Sequence, residues 1–143
     1  MTLVRSMMLF AAAVLVGALS VTAQGQKQWT DEDYDKLMKE VGATVGAMRK
    51  AIDGQNAELA KTNASKMVTL FTDVNAFWTA RNMKEPATIA NSALTHTKAV
   101  EGAVDAKDFS KAAENAKTMQ GACAECHKQY RDKGPDGEWR IKP

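Results

Sequence analysis

Apolar residues return every three or four positions through four separate stretches of this 143-residue chain, and nowhere do they alternate every second position. That period is the signature of amphipathic helices, and it leaves no strand or hairpin signal. An all-helical domain is the economical expectation.

The first stripe, Leu37, Val41, Val45, Met48 and Ile52, steps by four, four, three and four. Thr30-Asp31-Glu32-Asp33 puts acceptors and negative charge where the first backbone N–H groups lack partners, and Gly54 stands just past the other end. A helix over 31–53 follows. The second stripe is Leu59, Met67, Leu70, Phe71, Val74, Phe77 and Trp78, and it fades at Arg81-Asn82. Pro86 opens the third helix, at a first position where its missing N–H has no partner anyway. Ile89, Ala90, Ala93, Leu94, Val100 and Val104 carry that helix onward. A polar linker at 105–108 leads to the fourth, whose inner positions are Ala112, Ala116, Met119, Cys123, Cys126 and Tyr130, and which is expected to end near Lys133-Gly134-Pro135. Short links between consecutive helices favour antiparallel neighbours. The fold expected is an antiparallel up-down-up-down four-helix bundle with a core rich in alanine and methionine.

Residues 1–23 read as a secretory signal peptide: Arg5 in a short basic start, an apolar run from Met7 to Leu19, and Val21-Thr22-Ala23 before Gln24. The run is well short of the ~20 residues a membrane span needs, so no stable membrane insertion is expected after cleavage. Residues 24–143 then form one domain, large enough for a single core. Of 19 basic residues the loss of Arg5 leaves 18 against 17 acidic, a net charge of +1, which argues against nucleic acid as a partner.

Cys123-Ala124-Glu125-Cys126-His127 holds the only two cysteines. On a helix, positions i, i+3 and i+4 share one face. Two thiols so placed can each form a thioether with one edge of a porphyrin while the imidazole reaches the iron, and C-x-x-C-H in an exported chain reads as covalent attachment of one haem c. Other readings of C-x-x-C are a disulfide, a redox dithiol or half a zinc site. Zinc needs four ligands, and beyond His127 only His96 and scattered carboxylates are on offer. A redox dithiol usually follows a strand, and no strand pattern lies nearby.

The motif on the last helix, followed by Lys128-Gln129-Tyr130-Arg131, resembles the class II c-type cytochromes. That family also carries an aromatic residue three positions after the histidine and an arginine four after it, matched by Tyr130 and Arg131, which the resemblance puts beside the haem. Lys36-Leu37-Met38-Lys39-Glu40-Val41-Gly42 is similar to the first-helix segment of the low-spin members. The resemblance there implies Met38 as the iron ligand opposite His127. Gly42 and Gly46 lie one and two turns on, where missing side chains give a flat ring room. Met48, offset by roughly 80° on the same helix, is the rival methionine. His96 is an alternative distal group.

The resemblance also implies a basic residue near a haem propionate, with Lys36, Lys39 and Arg49 as candidates. Trp139, in a tail read as a turn and short extension, suits either the haem edge or the bundle surface. The function implied is a periplasmic mono-haem electron carrier that serves redox partner proteins and has no catalytic turnover of its own. The alternative is a five-coordinate, gas-binding protein like the cytochromes c prime, taking nitric oxide or carbon monoxide. A haem subunit of a larger oxidoreductase looks the same in sequence. A homodimer through the first two helices is compatible with the resemblance.

Overall fold

The computed structural model describes residues 29–142; the expected signal segment at 1–23 lies outside the described residues. Four helices pack as a bundle: α1 (Asp31–Asp53), α2 (Ala57–Ala80), α3 (Lys84–Asp105) and α4 (Phe109–Tyr130). At 1.5 Å per residue each is roughly 33–36 Å long, so the four match in length. Thr30 caps α1 in a complete capping box, its hydroxyl accepting from the Asp33 backbone N–H while the Asp33 carboxylate accepts from the Thr30 backbone. Asn56 and Asp108 cap α2 and α4 with the side-chain half of that arrangement only, accepting from Leu59 N–H and Lys111 N–H.

The three connections share one design. Gln55, Asn82 and Lys107 each take positive φ just past a helix end, and the next residue returns its N–H to a carbonyl of the final turn. That returning residue is Asn56, Met83 or Asp108, which is also the N-cap of the following helix. Three-residue turns of this kind force consecutive helices to run antiparallel.

The core is alanine- and methionine-rich as the stripes indicate, with Met48, Met67 and Met119 fully buried among Ala60, Ala64, Ala93 and Ala112. Phe77 and Trp78 are its largest members. Two expectations at the helix ends are corrected. Helix α3 begins two residues before Pro86, which sits buried at its third position, still ahead of the point where a backbone N–H would be required. Leu59 is solvent-exposed, because it falls in the first turn of α2 before the inner stripe begins.

A larger correction lies at the C-terminus. Helix α4 stops at Tyr130 instead of running to 133, and Arg131–Lys133 (β1) pairs antiparallel with Trp139–Ile141 (β2). Arg131 faces Ile141 and Lys133 faces Trp139 across this hairpin. Gly137, at φ +80, supplies the left-handed residue of its turn, and the Asp136 and Arg140 side chains close over Gly134. Asp136 braces the turn by accepting from Glu138 N–H and pairing with Arg140. The hairpin folds back over the end of the bundle, with β2 against α1 and Ile141 packed on the core. Helices α1 and α4 touch each other least of the neighbouring pairs. Their seam is therefore open where the other three are filled.

Candidate cofactor site

Two adjoining cavities occupy the α1–α4 seam, of about 450 Å³ on the outer side and about 390 Å³ on the inner. They share the side chains Tyr34 and Met38 from α1, Cys126 and His127 from α4, and Arg131 from β1. The inner cavity is walled by apolar residues, among them Val41, Val45, Phe71, Val74 and Ile89, and includes Cys123. The outer one is roofed by Trp139, Arg140 and Ile141 of β2 and walled by Trp78 and Tyr130. Space of this size and character suits a mostly flat, mostly apolar small molecule.

The inner stripe of α4 explains why the space exists. Ala112, Ala116 and Met119 are buried against neighbours, but the same face is only partly covered from Cys123 to Tyr130. Opposite it, Gly42 lines the inner cavity and a Cβ there would meet nothing within 4 Å.

Of the side chains singled out in sequence, Met38, Cys123, Cys126, His127, Tyr130 and Arg131 all reach these walls. Met48 does not: it is completely buried in the core and lines neither cavity. His96 lines neither cavity. Gly46 lies in open space off the walls. Lys39 reaches the outer wall, paired with Asp35 at 2.6 Å, whereas Lys36 is bonded to Glu32 and Arg49 to Gln120. Trp139 lines the outer cavity with one side and leaves the rest of its surface exposed.

Tyr34 is a wall residue that the sequence reading passed over, although it stands one turn before Met38 on the same face. It is buried, stacked on Phe77 with ring centres 3.9 Å apart, and its hydroxyl accepts from Trp78 Nε1 at 3.1 Å. Burial pushes its pKa far above the ordinary phenol range. Helical spacing from Met38 would have found it.

Burial also pushes both cysteine thiols up to about 11. They are free thiols in the last two turns of α4, the negative end of the helix dipole, where a thiolate is disfavoured. A redox dithiol has the opposite arrangement, with a depressed pKa at a helix N-terminus. Among the described residues no three His, Cys, Asp or Glu side chains are grouped to hold a metal ion, so a zinc site has no third ligand here. Burial, then the neighbouring Arg131 charge, lowers the pKa of His127, keeping its imidazole neutral at pH 7. Arg131 Nη1 lies 3.4 Å from His127 Nδ1, and its guanidinium stacks 3.6 Å from the Trp139 ring centre.

A haem fits this donor set. The neutral imidazole has a lone pair to give, the thioether of Met38 shares its cavity, and two protonated thiols stand one turn apart on the wall. Among the described residues Arg131 Nε is buried without a hydrogen-bond partner, so the wall offers a cation that an acidic group would satisfy. No protein-family model, curated protein or solved structure matches this chain.

Proposed function

We propose that the protein is a periplasmic single-electron carrier of the class II c-type cytochrome kind. In this reading the chain is exported by residues 1–23 and holds one haem c through Cys123 and Cys126, with His127 as proximal ligand and Met38 as distal ligand. The observation that carries it is the meeting of Met38 from α1 with Cys126 and His127 from α4 on the walls of both seam cavities. The haem, when bound, would supply an iron that changes by one electron. The protein's part would be to hold the two donors, Met38 on α1 and His127 on α4, so that little rearranges between oxidation states. His127 offers a neutral imidazole and Met38 a soft sulfur, a pair that raises the potential. The apolar residues of the inner wall would lie against the ring, and the hairpin covers part of the outer side. Among the described residues no helix is long and apolar enough to cross a membrane. Its partners are then redox proteins that meet it in solution or at a surface, and it has no turnover of its own.

The gas-binding alternative differs in one residue's role, so spectroscopy with carbon monoxide separates the two. The reduced wild-type protein is expected to ignore carbon monoxide, and Met38→Ala to bind it and become high-spin. Ready binding by the wild type would remove Met38 as a ligand and favour the open, gas-binding site.

A further inference from the structure

The cation that the cavity leaves without a counter-charge is Arg131. The other charged residues of the outer wall are matched: Asp31 with Arg81, Asp35 with Lys39, and Arg140 with Asp136. Among the described residues the Arg131 side chain makes no ion pair; its one polar contact there is with His127 Nδ1, and its Nε is buried without an acceptor. A half-buried guanidinium in that state carries a desolvation cost that a carboxylate would offset through charge-assisted, fork-like hydrogen bonds.

The hairpin keeps the group in place. Register pairs Arg131 with Ile141 and Lys133 with Trp139, which lays the Trp139 ring across the guanidinium at 3.6 Å. Stacking of this kind satisfies the face of the guanidinium and leaves its N–H edge to seek an acceptor. Ligation through His127 Nε2 sharpens the need: the proton then sits on Nδ1, which stops accepting from Arg131.

We propose that Arg131, held by Trp139, is the carboxylate anchor of this cavity and takes a propionate of the bound haem, in place of the first-helix lysines or Arg49. The inference rests on the haem reading above. Trp139 acts through Arg131 and is a positioning residue.

The test is a crystal structure of the mature, haem-loaded protein together with the reduction potentials of Arg131→Gln, Arg131→Lys, Trp139→Ala and Lys111→Gln. A propionate oxygen within hydrogen-bond distance of the Arg131 guanidinium is expected. The potential should fall in Arg131→Gln, be largely restored in Arg131→Lys, fall by a smaller step in Trp139→Ala, and stay put in Lys111→Gln, an equal loss of charge in the exposed first turn of α4, roughly 30 Å along the helix from the site. Propionates bound to Lys39 or solvent, or a buffer anion on Arg131 with both propionates elsewhere, overturn the inference while leaving the haem reading intact. So do equal potentials across the set. A chain that matures without haem overturns both.

Discussion

At the scale of single residues, the chemistry-bearing side chains were legible because residue type and spacing alone carry it. Cys123, Cys126 and His127 must share a helix face, and they do. Met38 was legible only through resemblance; its cavity position supplies a physical ground, and Met48, buried in the core, lines neither cavity. The stack of Arg131 on Trp139 was not legible, since it depends on a hairpin register joining residues eight apart. Two predictions belong at this scale. Tyr34→Phe leaves the buried Trp78 N–H without its acceptor and should cost about 1–3 kcal/mol, read from a urea midpoint that shifts with no change in slope. Both thiols, raised from an ordinary 9.0 to about 11, make the haem-free chain alkali-sensitive. Below pH 9 folded and unfolded chains both keep these protons, so stability is flat. Between 9 and about 11 the unfolded chain releases protons that the folded one retains, and stability falls as pH rises. In the haem-loaded protein the thiols are consumed as thioethers, so this part of the alkaline loss is absent. Tyr34 adds a loss in the same direction, smaller in the haem-loaded form because Cys126 and Cys123 contribute to raising it; the readout is how the gap between the two melting midpoints changes with pH, and a gap that stays constant from about pH 8 to 11 would contradict the prediction.

At the scale of elements, periodicity and caps placed all four helices, and α1 is bounded as expected by Thr30 and Gly54. The hairpin was missed for a physical reason. Three-residue strands are too short to display alternation, and Arg131-Asp132-Lys133 reads equally well as the charged end of a helix. What breaks the helix is non-local: Arg131 turns to extended backbone, φ −126 and ψ 135, to pair with Ile141. The interhelical turns give a prediction of their own. Gln55 and Lys107 occupy left-handed backbone at φ 50 and 57, which costs about 1–2 kcal/mol for a residue with a Cβ. Glycine relieves that strain and gives back part of it in unfolded-chain entropy. Gln55→Gly and Lys107→Gly should each stabilise the protein by roughly 0.5–1 kcal/mol, seen as a raised thermal midpoint. A lowered midpoint in both would mean that their side chains contribute more than the turn geometry costs.

At the scale of the whole molecule, the bundle has three filled seams and one open one, and Met38, Cys123, Cys126, His127, Tyr130 and Arg131 all line the open seam. Small side chains in the core and cavities between α1 and α4 leave the two helices joined mainly through their neighbours and the hairpin. A ring in that space would supply the missing α1–α4 contact, so the haem-loaded protein should melt far above the haem-free chain; equal midpoints would mean that the seam is self-sufficient. The number of helices, their order and the fourth helix as carrier of the motif could be read from sequence, because they depend on local pattern. The seam could not, because it depends on which helices fail to touch. The most direct test of the central claim is the mass and visible spectrum of the mature protein secreted by cells equipped for c-type cytochrome maturation. The account predicts a coloured product in which one haem is covalently attached, the two cysteines resist alkylation, and the reduced form is unchanged by carbon monoxide. A colourless product with two alkylatable thiols would contradict it.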